Sequence, residues 1–225
     1  PMSLFKDIVK LWNSDDLLSQ AWSESYEMML LSNEIFIQAI TYLREGGNIK
    51  TIKALKKRDS EINRFQKVVR RKVVTHYAIT QNTDDLPNGL VLLNMVVDIE
   101  RVGDYTKNIL DLALNYPNTI RSEDFSDDLA SIEQEVILRF NKTIKAINSH
   151  DEKIAKSLMS SYKKTVIRVS DQIVNGCISG KIEQGNESKT VALALYARYL
   201  KRIGGHLKNI STILVNPFEA VGYKK

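Results

Sequence analysis

The sequence predicts an all-α protein built from two tandem antiparallel three-helix bundles with six long helices. Among its 225 residues are only 10 glycines and 4 prolines, too few for the many turns of an all-β fold. Apolar residues recur at helical spacing over six segments, and long helices joined by short connections favour antiparallel bundles. The third and sixth segments also share a sequence pattern, which indicates an internal duplication.

The first predicted helix begins at Ser14 or Asp15, which are good capping residues, and ends at Gly46-Gly47. Its apolar residues alternate in spacings of four and three, which predicts one buried face. That face consists of Leu18, Trp22, Ser25, Met29, Ser32, Phe36, Ala39 and Leu43. Residues 1–13 form an amphipathic lead ahead of this helix. We expect the lead to dock on the bundle, with a membrane surface as the alternative.

The second predicted helix runs from Ile49 to Tyr77 and carries a basic stripe. The stripe comprises Lys53, Lys57, Arg64, Lys67 and Arg71. An excess of positive charge favours an acidic protein or an anionic membrane surface as partner. Nucleic acid is a weaker interpretation, because the only aromatic residues interleaved with the stripe are Phe65 and Tyr77.

The third predicted helix starts at the signal Asp84-Asp85-Leu86-Pro87 and ends at Tyr116, just before Pro117. Its buried face is predicted to contain seven residues. They are Leu92, Val96, Ile99, Gly103, Thr106, Leu110 and Ala113. The polar segment 118–125 then predicts a linker, so that residues 14–117 form the first repeat.

The second repeat is predicted over residues 126–217, followed by a C-terminal tail at 218–225. Its three helices are expected at about 126–148, 152–178 and 189–215. The last of these matches the third helix at a constant offset of 101 residues: Arg101 with Arg202, Gly103 with Gly204, and Lys107-Asn108-Ile109 with Lys208-Asn209-Ile210. Glycine inside a helix is costly, so the shared glycines predict a close approach of another helix.

Composition excludes several functional classes. The single cysteine, Cys177, rules out an intramolecular disulfide and a cysteine zinc site, and favours a reducing cytoplasm. We recognise no signal peptide, membrane span, glycine-rich phosphate loop or hydrolase motif. The formal net charge of +5 lies in residues 118–225, where 17 basic residues outnumber 12 acidic ones. The sequence therefore predicts a cytoplasmic protein that is not an enzyme.

Two carboxylates in the third helix stand out. Glu100 and Asp104 are four residues apart and so lie on one helix face, where like charges repel unless a cation lies between them. No basic residue lies four positions before Glu100 or four positions after Asp104. We therefore expect the cation to come from a neighbouring helix or from solution. An ion pair with Arg58 or another cation of the second helix is the alternative to a metal.

These motifs resemble a known family. The run Asp98-Ile99-Glu100-Arg101-Val102-Gly103-Asp104, followed by Asn108-Ile109, resembles the acidic signature of PhoU proteins. Arg58-Asp59-Ser60-Glu61-Ile62-Asn63 and Asp85-Leu86 resemble its other motifs. The resemblance covers residues 18–215, and the third-helix motif is its most specific part. It implies a cytoplasmic regulatory adaptor, peripheral to the cell membrane, that couples phosphate or related ion uptake to signalling by contacting a transporter or a sensor kinase. A homodimer is compatible with it.

Some members of that family bind divalent metals or iron clusters on these motifs. The resemblance thus implies a metal site formed by Asp59, Asn63, Glu100 and Asp104. Asn63 stands where the family has a second carboxylate. In the second repeat Lys201 and Gly205 replace Glu100 and Asp104, and Tyr162 and Val166 stand near the places of Asp59 and Asn63. We expect at most one metal site, in the first repeat. A metal-sensing bundle and a nucleic-acid-binding bundle remain the alternative functions.

Overall fold

The computed structural model describes residues 16–120, 127–182, 186–216 and 218–223, which contain helices and no strand. The α-helices are α1 (Leu17–Glu45), α2 (Ile49–Lys57), α3 (Asp59–Thr80), α4 (Leu86–Asn115), α5 (Asp127–Ser149), α6 (Glu152–Tyr162), α7 (Arg168–Ile178) and α8 (Glu187–Thr212). The predicted lead at 1–13 and most of the predicted linker at 118–125 lie outside the described residues. The all-α prediction is confirmed.

The first repeat consists of α1, the α2–α3 pair and α4. All eight residues of the predicted α1 face are buried, which confirms the buried face predicted from the alternating spacing. Asp16 caps α1 by accepting a hydrogen bond from the Ser19 amide at 2.8 Å. Pro87 lies in the first turn of α4, where its missing amide donor costs nothing.

The single second helix predicted from Ile49 to Tyr77 is wrong, because the chain breaks at Arg58. The Arg58 amide bonds to the carbonyl of Leu55 rather than continuing the α-helical pattern. Its side chain pairs with Glu34 of α1 at 2.6 Å and with Glu61 at 3.1 Å. The break places Asp59 at the start of α3, and α3 continues to Thr80, where Gln81 adopts a left-handed conformation.

The second repeat has a comparable irregularity in its middle helix. A π-helical turn at Lys163–Ile167 joins α6 to α7, so the predicted continuous helix over 152–178 is interrupted. Such a turn accommodates an extra residue within a helix.

The last helix ends at Thr212 rather than near Val215. Beyond it, the Asn216 side chain donates to the carbonyls of Ala220 and Tyr223, which folds residues 218–223 back onto the bundle.

Charged side chains connect the two repeats. The buried carboxylate of Glu133 in α5 accepts hydrogen bonds from Arg44 at the end of α1 and from the hydroxyl of Tyr196 in α8, both at 2.5 Å. In addition, α4 packs against α8, where Asp98 bonds to His206 at 2.7 Å and Asn209 at 3.2 Å. The interface therefore contains ionic and polar contacts within its apolar surroundings.

Tyr105 and His206 occupy equivalent positions in the two repeats, 101 residues apart, and their rings stack with centroids 5.9 Å apart. Asp98 and Tyr199 are also 101 residues apart. The contact of Tyr105 with Tyr199 therefore corresponds to the contact of His206 with Asp98. Equivalent residues that meet each other imply a local two-fold axis, which passes between α4 and α8.

Among the residues that the structure describes, none of the helices has the length and apolar character needed to cross a lipid bilayer.

Candidate functional site

The four residues of the predicted site lie on two packed helices. Asp59 and Asn63 occupy the first turns of α3, while Glu100 and Asp104 lie in the middle of α4. The missing side chain of Gly103 lets these helices approach closely. A Cβ atom there would lie 3.1 Å from Ile62 and 3.3 Å from Oδ1 of Asp59. The prediction that this glycine permits close helix packing is confirmed, and the packing brings Asp59 to the acidic face of α4.

Lys107 bridges the two helices at this point. Its ammonium group lies 3.0 Å from Oδ2 of Asp59 and 3.1 Å from Oδ1 of Asp104. Asn63 donates its side-chain amide to the same Oδ2 of Asp59 at 2.9 Å. Partial burial works against the charge of Lys107, but the hydrogen bonds to Asp59 and Asp104 outweigh it and raise the lysine pKa. We call Asp59, Glu100, Asp104 and Lys107 the acidic cluster.

The sequence analysis overlooked a cation on α4 itself. Lys107 lies three residues beyond Asp104, and its ammonium group contacts that carboxylate. Arg101, three residues before Asp104, donates to its other oxygen at 3.0 Å. Arg58, the alternative partner, pairs instead with Glu34 and Glu61. Spacing by three residues brings helix side chains together as well as spacing by four, so a search at both spacings finds these cations.

Glu100 is the least compensated carboxylate of the cluster. Its closest cation is Arg101, whose Nε lies 3.7 Å away and whose side chain is more than half exposed. Burial raises the pKa of Glu100, and the negative charges of Asp104 and Asp59 raise it further, against the opposing effect of Arg101. The neutral, protonated form of this carboxyl is therefore favoured more in the folded chain than in the unfolded one.

This shift predicts a pH-dependent effect of Glu100→Gln. A carboxyl with a raised pKa in the folded state supports folding at low pH. That support is lost as the pH rises from 4.5, the ordinary pKa of a glutamate carboxyl, through the higher pKa of Glu100 in the folded state. The variant should therefore be more stable than the parent at pH 7, with the difference shrinking toward pH 4. Urea unfolding in EDTA at both pH values measures this. Glu27→Gln, at an exposed position of α1, is the control, and a Glu100→Gln variant less stable than the parent at pH 7 would contradict the interpretation.

The cluster as arranged does not fit a metal ion. In the described part of the chain, no three His, Cys, Asp or Glu side chains are placed to hold one ion together. The ammonium group of Lys107 already contacts Asp59 and Asp104, and the side-chain NH2 of Asn63 points at Asp59. Within the cluster, Oδ1 of Asp59 is the side-chain oxygen that is buried without a hydrogen-bond partner. Metal binding by Asp59, Asn63, Glu100 and Asp104 stays a prediction, and it requires Lys107 to withdraw.

Among the described residues, the equivalent position of the second repeat carries no such cluster. Gly204 packs against Tyr162 and Val166, as Gly103 packs against Asp59 and Ile62, so Tyr162 occupies the place of Asp59. The Tyr162 hydroxyl donates to the carbonyl of Lys201 at 3.0 Å, and the Lys201 ammonium pairs with Asp171 at 2.6 Å. In the second repeat a hydrogen bond and an ion pair thus take the place of the contacts between the acidic residues and Lys107.

A buried arginine stabilises the second repeat in a way that the sequence analysis missed. Arg139 of α5 is 1% exposed and pairs with Glu135 at 2.8 Å. It also donates to the carbonyl of Leu158 and to the hydroxyls of Ser161 and Thr165. A sequence signal exists: Arg139 lies three residues after Val136 and four before Thr143, which are buried. Positions at this spacing share one helix face.

An exposed basic surface lies on α3. It consists of Arg64, Lys67, Arg70 and Arg71, which we call the basic face. Within the described residues none of the four forms an ion pair, and no acidic residue occurs between positions 62 and 83. The interleaved aromatic residues Phe65 and Tyr77 are partly buried against the core. The basic face therefore presents unneutralised charge to solvent beside aromatic rings that are partly buried, with the Arg64 guanidinium 4.9 Å from the centroid of the Phe65 ring.

Comparisons with known proteins give one consistent result. A family model described as the PhoU domain matches residues 26–113 and again residues 129–214. The crystal structure of PhoU from Pseudomonas aeruginosa superimposes with a TM-score of 0.77 at 20% identity, over 91% of this chain and 97% of that one. The phosphate transport system regulatory protein PhoU from Streptococcus pneumoniae gives 0.74 at 16% identity, over 88% and 93%. No curated protein sequence matches significantly.

Proposed function

Because the chain belongs to the PhoU family, we propose that it is a regulatory adaptor that couples uptake of phosphate, or of a related ion, to signalling at the cytoplasmic face of the membrane. The observation that carries this proposal is the paired match of PhoU domains over residues 26–113 and 129–214. A structural neighbour with the same fold is named as a regulatory protein of a phosphate transport system. The proposed role is binding and regulation rather than catalysis.

The partner in this proposal is a membrane transporter or a sensor kinase that offers an acidic protein surface. The basic face supports this choice because its four cations have no acidic neighbour in the described chain to neutralise them. Three of the four are arginines, which bind carboxylates through two parallel hydrogen bonds. Charge complementarity of this kind speeds association and selects the partner.

The alternative partners of the basic face fit less well. Nucleic-acid binding by such a surface normally adds stacking on exposed aromatic rings, and Phe65 and Tyr77 are turned toward the core. A membrane-binding helix normally presents a broad apolar face beside its cations. On α3 the exposed large apolar residues are Val74, one turn beyond Arg70 and Arg71, and Ile79 near the end of the helix, which together do not form a broad apolar face. An acidic protein surface needs neither feature.

The test is complementation of a host strain that lacks this gene. Deletion should alter phosphate uptake and a phosphate-starvation reporter under phosphate-replete conditions, and the parent gene should restore both. The triple variant Arg64→Glu/Lys67→Glu/Arg71→Glu should fail to restore regulation, because it opposes an acidic partner with three negative charges. Circular dichroism and expression level establish that this variant is folded and present.

The matched control is Lys163→Glu/Lys164→Glu/Arg168→Glu in the second repeat. These three cations are also exposed and without ion pairs in the described chain, so the variant carries the same change in net charge. It should restore regulation at least in large part. A deletion strain with normal phosphate uptake and reporter activity would overturn the proposed function. Full complementation by the α3 triple variant would overturn the docking surface alone.

A further inference from the structure

We propose that the ammonium group of Lys107 is the resident cation of the acidic cluster, so that the first repeat holds its carboxylates together without a metal ion. The geometry carries this inference. Lys107 lies 3.0 Å from Asp59 on α3 and 3.1 Å from Asp104 on α4, which places it between the two helices. Lys107 thus contacts Asp104, one of the two carboxylates for which the sequence required a cation.

The remaining contacts of the cluster agree with an ammonium group at its centre. Oδ2 of Asp59 accepts hydrogen bonds from both Lys107 and Asn63. Oδ2 of Asp104 accepts one from Arg101. Asn63 presents its NH2 group as a donor toward Asp59, whereas a metal would require its carbonyl oxygen. The three carboxylates thus have two cations, Lys107 and Arg101, and the amide of Asn63 as partners. A divalent ion would have to displace Lys107 first.

The second repeat provides an internal comparison for this lysine. Lys208 occupies the position equivalent to Lys107, 101 residues later, but the acidic residues around it are replaced by Tyr162, Lys201 and Gly205. Its ammonium group donates instead to the carbonyl oxygen of Gly222 in the C-terminal segment. The same residue therefore contacts two carboxylates in one repeat and a backbone carbonyl in the other. In the second repeat these carboxylates are absent, and the C-terminal segment supplies the carbonyl oxygen that Lys208 contacts instead.

Removing the lysine charge should raise the affinity of the cluster for a divalent cation. In Lys107→Met, the Asp59 and Asp104 oxygens lose their ammonium partner. Oδ1 of Asp59, which is buried without a hydrogen-bond partner, is available as a further ligand. Oxygen ligands of this kind suit Mn²⁺. A side chain of similar length without a charge keeps the packing of α3 against α4 while removing the competitor.

The experiment is titration of Mn²⁺ into the chelator-treated, full-length protein, followed by calorimetry and by the electron paramagnetic resonance signal of free Mn²⁺. Lys107→Met should bind Mn²⁺ at least about tenfold more tightly than the parent, which corresponds to 1.4 kcal/mol. Adding Asp59→Asn to that variant should abolish the gain. Lys208→Met is the matched control, since it removes the equivalent lysine where no carboxylate cluster exists, and it should bind like the parent.

Two results would overturn the inference. The first is a parent protein that takes up one equivalent of Mn²⁺ with an affinity that Lys107→Met does not increase, because the lysine would then not compete for the site. The second is a Lys107→Met variant, folded by circular dichroism, that binds no more Mn²⁺ than the parent. Mn²⁺ should also raise the melting temperature of Lys107→Met and leave that of the parent unchanged, which gives a readout independent of the titration.

Discussion

Replacing Arg139 with methionine should lower the free energy of unfolding by about 3 kcal/mol, as expected when one partner of a buried ion pair is removed. The substitution removes the arginine donor from the carbonyl of Leu158 and the positive partner of Glu135, which keeps one hydrogen bond from the Thr165 hydroxyl. Glu135 is partly exposed, which keeps the cost at the lower end of the range for buried pairs. The melting temperature should fall by roughly 6–12 °C for a protein of this size. Urea unfolding and calorimetry measure both quantities.

Two further variants distinguish the ion pair from a general effect of losing an arginine. Arg168→Met removes an exposed arginine from the same repeat and should change stability by less than about 0.5 kcal/mol. Arg139→Met/Glu135→Leu removes both charges and should recover part of the loss, because no buried charge is left alone. An Arg139→Met protein as stable as the parent would show that these contacts contribute nothing to the fold.

Replacing Glu133 with leucine should lower the free energy of unfolding by about 2–3 kcal/mol. The Tyr196 hydroxyl is fully buried and donates to Glu133, so the variant leaves this donor without a partner, at a cost of about 1–3 kcal/mol. Arg44 also loses its carboxylate, but its side chain is about one-quarter exposed and can turn toward water. The loss should appear in chemical unfolding monitored by circular dichroism.

A double-mutant cycle tests this explanation. Tyr196→Phe removes the unsatisfied hydroxyl, so Glu133→Leu/Tyr196→Phe should be more stable than Glu133→Leu alone. Glu34→Leu is the control for losing an ion pair, because Glu34 pairs with Arg58 on the surface and should cost less than about 1 kcal/mol. Equal losses for Glu34→Leu and Glu133→Leu would show that burial at the junction of the repeats is unimportant.

The apolar pattern accounts for most of the helices because burial follows directly from spacing. Every residue assigned to the inner face of α1 is buried, and Pro87 and Pro117 mark the ends of α4. The break at Arg58 and the π-helical turn at Lys163–Ile167 could not be found this way. Arg58 is held by Glu34, which lies 24 residues earlier on another helix, and such tertiary contacts leave no local signature.

The candidate site was predictable in part. Helical spacing correctly placed Glu100 and Asp104 one turn apart, and the shared glycine indicated the close approach that brings Asp59 beside them. The same reasoning overlooked Lys107 and Arg101, which reach Asp104 at three-residue spacing. His206 gave no signal at all, because its partner Asp98 lies in the other repeat and no local spacing connects the two.

The stacked rings of Tyr105 and His206 have a consequence for the origin of the chain. Two copies of one ancestral three-helix polypeptide would present the same aromatic position to each other across this axis, as the subunits of a symmetric dimer do. Gene fusion would then have joined a self-associating pair without inventing a new interface. Two halves within one chain can diverge independently, which accounts for a tyrosine at this position in one repeat and a histidine in the other.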